Sequence, residues 1–132
     1  MAEQWDVLVI DDEPVVRDAI ALVLGEEGLR VAVAADGASG LAHPAAAGCR
    51  LVLVDLMLPD RSGTEVLRAL QAARPDLPVV IITGYATHES SRLALEAGAS
   101  DYLPKPFEVS ELLAVVRRAL RDRGAALEEK RS

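Results

Sequence analysis

Several side chains that could act together stand directly after short apolar runs. Asp11, Asp12 and Glu13 follow Val7-Leu8-Val9-Ile10, Asp55 follows Leu51-Val52-Leu53-Val54, Thr83 follows Val79-Val80-Ile81-Ile82, and Lys105 lies just past Asp101-Tyr102-Leu103. Two carboxylates about 4 Å apart repel by roughly 4 kcal/mol at an effective dielectric of about 20. Three at one place hold raised pKa values unless a cation sits among them. Oxygen-only ligands favour a hard cation, Mg²⁺ before Zn²⁺. The charges of Asp11, Asp12 and Asp55 would then be balanced by Mg²⁺ and Lys105. A phosphoryl group arriving there would meet metal, ammonium and hydroxyl donor together, the set that phosphoryl transfer needs. A carboxylate can also act as nucleophile and carry the group as an acyl phosphate.

Taken singly, each residue has a plainer reading. Asp11 or Asp12 could cap a helix starting at Pro14, and Asp55 could end a strand before a turn. Thr83 before Gly84 could be a turn residue, and Lys105 a solvated charge. Yet the chain uses 12 Arg and only 2 Lys, and Lys105 is locked between Pro104 and Pro106. Each residue standing at the end of a run is what makes the set strong.

The elements that must position these residues follow from hydropathy. The runs starting at 7, 31, 51 and 79 are apolar without polar alternation, and Asp101-Tyr102-Leu103 reads as a shorter fifth strand. Strands read this way when both faces of a parallel sheet are covered. The gaps leave room for crossover helices. Pro14 to Glu27 places Val15, Ala19, Leu22 and Val23 on one stripe; Thr64 to Ala73 has Val66, Leu67 and Leu70. Glu89 to Ala97 carries Leu93, Leu95 and Ala97, and Ser110 caps a helix to about Arg121 with Leu112, Leu113, Val116 and Leu120. The second gap, Ala38 to Ala47, holds a weak helix that Pro44 shortens or kinks. The prediction is a doubly wound α/β fold, which binds its ligands beyond the carboxyl ends of its strands. Asp11, Asp12, Asp55, Thr83 and Lys105 are expected to project to that edge if the strands are parallel, and Glu13 is not.

Composition narrows the classes further. The chain has 132 residues, a formal net charge of −7, 51% hydrophobic and 3% aromatic residues. That argues for one folded domain and against disorder or non-specific nucleic-acid binding. Cys49 is the single cysteine, which excludes a disulfide framework and a cysteine-based zinc site. The first apolar run is too short for a signal peptide or membrane span, so a cytoplasmic domain is expected. Residues 1–65 hold 12 acidic and 4 basic side chains, so the acidity is concentrated where Asp11, Asp12 and Asp55 lie. Neither G-x-G-x-x-G nor a P-loop follows the first run, so nucleotide binding loses its usual signature.

The residues Val7-Leu8-Val9-Ile10-Asp11-Asp12-Glu13, Asp55-Leu56-Met57-Leu58-Pro59 with Gly63, Thr83-Gly84, and Gly98 through Phe107 carry a family resemblance. The chain resembles the receiver domain of bacterial two-component response regulators. The resemblance implies a (βα)5, flavodoxin-like sheet of strand order 2-1-3-4-5, with a receiver over 1–121 and a helical extension or linker over 122–132. It implies that Asp55 accepts a phosphoryl group from a sensor histidine kinase or phosphotransfer protein. Asp12, Asp55 and the Met57 carbonyl would bind Mg²⁺ directly, with Asp11 acting through water. Lys105 and Thr83 would contact the phosphoryl oxygens, and the Lys105–Pro106 bond would be cis. Thr83 and Tyr102 would form the conformational switch, while Met57 and Tyr85 would tune acyl phosphate hydrolysis. Self-phosphorylation and slow dephosphorylation would be its only chemistry. A homodimer through the last helices and fifth strand is a further expectation, with no direct nucleic-acid binding by this segment. His43 and His88 match no family role and read as surface residues, and Cys49 as a small, partly buried one.

Other classes predict other residues. A flavin-binding carrier would need a Ser/Thr/Gly phosphate loop where Asp11-Asp12-Glu13 stand. An aspartyl phosphohydrolase would carry D-x-D, which Asp55-Leu56-Met57 lacks. A degenerate receiver serving only as a protein-binding scaffold would not need Asp11, Asp12, Asp55, Thr83 and Lys105 together.

Overall fold

The computed structural model describes residues 4–131, with side chains through Arg121. Strands and helices alternate: β1 (Val7–Ile10), α1 (Pro14–Glu26), β2 (Val31–Ala34), α2 (Gly37–Ala42), β3 (Leu51–Asp55), α3 (Gly63–Ala73), β4 (Val79–Thr83), α4 (His88–Glu96), β5 (Asp101–Pro104) and α5 (Val109–Arg131). The five strands form one parallel sheet in the order β2-β1-β3-β4-β5. The extension expected over 122–132 falls on the far end of α5, and its side chains and Ser132 lie outside the described residues.

The two-residue period of the strands divides the core into two layers. Leu8, Ile10, Val52, Val54, Val79 and Ile81 pack against Val66, Leu67 and Leu70 of α3 and Ala94 of α4. Val7, Val9, Leu51, Leu53, Val80 and Ile82 pack against Ile20 and Leu24 of α1 and Leu112, Val115 and Val116 of α5. Covering both faces is why β1 and all but the last residues of β3 and β4 are apolar without alternation.

Two helices turn a different face to the sheet than their sequence predicts. In α1, Val15 is 83% exposed and Leu22 64%, while Ile20 and Leu24 are buried and Val16 and Val23 pack beside them. Apolar residues run almost all round this helix, so periodicity cannot choose a side and the sheet does. In α4, Leu93 and Leu95 are half exposed and the small Ala94 faces the core. Ser110 is also not a cap, because α5 starts at Val109 and the Glu108 N–H donates to Glu111 Oε1 at 3.0 Å.

Pro44 has the expected effect on the second helix. α2 is only six residues long and a 3-10 turn over Pro44–Ala47 follows it. His43 joins the two pieces: its Nδ1 accepts the Ala45 N–H at 2.9 Å, and its ring lies edge-on to Trp5. It is a cap and not merely a surface residue, whereas His88 is exposed as expected. Cys49 is fully buried, where the sequence suggested partial burial.

Gly63 opens α3 hard against the end of β3. A Cβ there would lie 2.4 Å from the Asp55 carbonyl oxygen and 2.9 Å from Leu56 Cα, both backbone atoms. Gly63→Ala is therefore expected to destabilise the fold by about 1–3 kcal/mol. The measurement is the urea midpoint, and an unchanged midpoint would show that this loop shifts freely.

Candidate functional site

Strand register assembles the site. Ile10 lies opposite Val54, which brings Asp11 and Asp55 side by side at the carboxyl edge. Asp55 lies opposite Ile82 and Thr83 opposite Pro104, so Thr83 and Lys105 reach the same edge. The Lys105 N–H donates to the Thr83 carbonyl at 2.7 Å, and the Lys105–Pro106 peptide bond is cis.

The Lys105 ammonium sits among three carboxylates. Its Nζ is 2.8 Å from Asp55 Oδ2, 2.8 Å from Glu13 Oε1 and 2.9 Å from Asp11 Oδ2. Burial works to lower its pKa, but the contacts with Asp55, Glu13 and Asp11 outweigh that and hold it well above the ordinary lysine range. Asp55 is nearly buried, and its Oδ1 accepts the Met57 N–H at 3.0 Å. Asp11 is fully buried, and its Oδ1 accepts the Glu13 N–H at 2.8 Å. Burial raises the Asp11 pKa, against the pull of that N–H and of Lys105. Its Oδ2 has the charge contact with Lys105 but no hydrogen bond of proper geometry.

Glu13 belongs to this site, contrary to the expectation that it would point elsewhere. It precedes Pro14 as the N-cap residue of α1, and its side chain makes no cap bond. That frees the carboxylate to reach Lys105, a reach that no local sequence signal announces. Neither Asp11 nor Asp12 caps the helix. Counting Glu13, four carboxylates and one ammonium gather here, so Mg²⁺ and Lys105 no longer balance the acids. Glu13 is more than half exposed, so solvent screens its charge.

Asp12 is exposed, and one oxygen from each of Asp11, Asp12 and Asp55 lies within 4.8 Å of the others. Together with the buried Asp11 Oδ2 that lacks a hydrogen bond, this oxygen set fits a hard divalent cation. Thr83 is fully buried and its Oγ1 accepts the Tyr85 N–H at 3.1 Å. Tyr102 is half-buried, and its hydroxyl lies 2.7 Å from Ser90 Oγ of α4. Met57 and Tyr85 are exposed beside Asp55 and Thr83.

The loop after Asp55 has an anchor that the sequence did not reveal. Asp60 accepts the Gly37 N–H and the Ala38 N–H, both at 2.9 Å, capping the start of α2 from across the chain. Those N–H groups are ones an α-helix leaves unpaired, and their partner is 23 residues away from Gly37. Ser90 was likewise unmarked, being one serine among several near α4.

A parallel sheet of this order with acidic residues and a lysine at its carboxyl edge is the CheY-like receiver architecture. The sequence profile of response regulator receiver domains matches residues 7–117, and the chain belongs to that family. The sensory transduction protein RegX3 of Mycolicibacterium smegmatis is 42% identical over 119 residues, 90% of this chain and 51% of that protein. The uncharacterized transcriptional regulatory protein YkoG of Bacillus subtilis is 39% identical over 127 residues, 96% of this chain and 56% of that one. A receiver domain of Methanospirillum hungatei superposes with a TM-score of 0.86 at 32% identity, covering 94% of this chain and 99% of that one. The chain spans about half the length of the curated relatives it matches. Among the described residues, no helix is long and apolar enough to cross a membrane.

Two outcomes test this geometry. Asp11→Asn removes a buried carboxylate from an acid-rich edge, so its melting temperature in chelator should exceed the wild type's by a few degrees, and its response to Mg²⁺ should shrink. A lower melting temperature would mean that the Lys105 contact outweighs burial. The Gly37 N–H lowers the Asp60 pKa below 3.8, helped by Ala38 and Arg61 and opposed by burial. A depressed carboxylate stabilises above its unfolded pKa and loses that contribution as pH falls through the folded value. The stability difference between wild type and Asp60→Ala should therefore hold near neutrality and shrink below about pH 4 in urea titrations. A difference unchanged in acid would show that charge does not strengthen the cap.

Proposed function

We propose that this receiver domain accepts a phosphoryl group on Asp55 from a phosphohistidine of a sensor histidine kinase or phosphotransfer protein. The observation that carries the reading is the held Asp55 carboxylate, with Met57 N–H on one oxygen and Lys105 Nζ 2.8 Å from the other. An Asp55 oxygen attacks phosphorus, the P–O bond forms as the P–N bond breaks, and the leaving imidazole takes up a proton. Lys105 offsets the charge on the phosphoryl oxygens, and the Thr83 hydroxyl donates a hydrogen bond to one of them. The carboxylates of Asp11, Asp12 and Asp55 and the Met57 carbonyl would hold Mg²⁺, which when bound neutralises charge on the incoming group.

Phosphorylation then biases a two-state equilibrium through Thr83 and Tyr102. As a receiver domain the chain is a signalling protein and not a metabolic enzyme; slow loss of its own phosphoryl group is part of the proposal. Residues 1–121 would form the receiver and 122–132 lead away from it. The reading places the domain in the cytoplasm beside the kinase. It also includes pairing of two copies through α4, β5 and α5, where Leu93 and Leu95 are half exposed.

Acetyl phosphate with Mg²⁺ should add one acid-stable, base-labile phosphoryl group to the intact mass, and Asp55→Asn should abolish the addition. An unchanged wild-type mass overturns the reading.

A further inference from the structure

We infer that the Ser90 hydroxyl is a latch that holds Tyr102 in the resting state and ties the first turn of α4 to the switch. The inference rests on the phosphoacceptor reading above. A serine hydroxyl has one hydrogen to donate and two lone pairs to accept with. Ser90 Oγ accepts the Thr87 N–H at 2.9 Å and donates to the Thr87 carbonyl at 3.1 Å. With its hydrogen directed to the Thr87 carbonyl, Ser90 Oγ keeps a lone pair for the Tyr102 hydroxyl, 2.7 Å away. All three bonding positions of Ser90 are filled, two by the helix and one by the switch tyrosine.

The partner of Tyr102 is thus part of a helix cap. Thr87 Oγ1 accepts the Ser90 N–H at 2.9 Å, so Thr87 and Ser90 form a reciprocal capping box at the start of α4. Only Gly84, Tyr85 and Ala86 separate Thr83 from Thr87, and the Tyr85 N–H donates to Thr83 Oγ1 at 3.1 Å. A Thr83 hydroxyl drawn to a phosphoryl oxygen moves the acceptor on which that loop rests. The loop ends in the cap that holds Tyr102. When Tyr102 leaves, Ser90 loses one bond but the capping box can persist. The latch therefore sets how readily the tyrosine moves without deciding whether α4 forms.

Beryllofluoride with Mg²⁺ is the probe, titrated into the full chain by calorimetry. Removing one hydrogen bond that favours the resting state should make Ser90→Ala bind beryllofluoride about fivefold more tightly, because apparent affinity scales with the competent fraction. Ser90→Thr keeps the hydroxyl and should bind like the wild type. Tyr102→Phe leaves the capping box whole and should tighten binding too, so poor folding of Ser90→Ala would not shelter the proposal. In the Tyr102→Phe background, Ser90→Ala should change the affinity by less than about twofold, since the two residues act through one bond. Equal effects of Ser90→Ala in both backgrounds would assign it to the helix cap and overturn the latch. Wild-type binding with no change in Ser90→Ala also sinks the latch and leaves the phosphoacceptor reading standing. If the wild type binds no beryllofluoride with Mg²⁺ at all, both fall.

Discussion

The Lys105 ammonium is the contact on which this edge of the molecule depends. β1, β3 and β5 run parallel in one sheet, so their carboxyl ends lie along the same edge, and two of those ends bring buried carboxylates. Gathering Asp11 and Asp55 without a cation would be strongly unfavourable. Lys105 reaches both from the end of β5, and Glu13 comes in from the start of α1 to share it. One cation against this many acids leaves excess negative charge. The fold tolerates that excess because the sheet and its two apolar layers hold the strand ends where they are. A site of this kind is primed for positive charge and, behind it, for a group that brings negative oxygens.

Around that edge, the structure uses small, local bonds to settle which segments are firm and which can shift. Asp60 fastens the loop after Asp55 to the start of α2, and Gly63 lets that loop return beneath β3 without a side chain in the way. The short segment from Thr83 to Thr87 is held at its two ends, by the Lys105 N–H on the Thr83 carbonyl and the Tyr85 N–H on Thr83 Oγ1, and by the cap of α4. In the proposed switch, coupling needs a bond with two discrete arrangements, and the Ser90–Tyr102 contact would be that bond between α4 and β5.

Most of the fold was legible because four apolar runs and a shorter fifth are separated by stretches with room for a helix, the pattern of a parallel sheet. Asp11, Asp55, Thr83 and Lys105 were legible for the same reason: each stands at the end of such a strand. The helices were less so. In α1, Val15 and Leu22 have the spacing of a buried stripe yet face solvent, because Ile20 and Leu24 offer an equally apolar side. In α4, a small alanine fits the sheet where flanking leucines were expected. The contacts of Glu13, Asp60 and Ser90 leave no local mark in the sequence because their partners lie 92, 23 and 12 residues away.

By itself, then, the order of residues determined the five strands, their parallel pairing, the edge where chemistry is possible and the kinds of side chain found there. Those follow from local hydropathy and from gaps long enough for the crossover helices that parallel strands need. Only the tertiary structure decided which helix faces are buried, that Glu13 shares Lys105, that Asp60 caps α2, and that Tyr102 is hydrogen-bonded to a serine inside a helix cap. These depend on distances between segments far apart in the chain. Packing and register set such distances, and no short stretch of sequence encodes them.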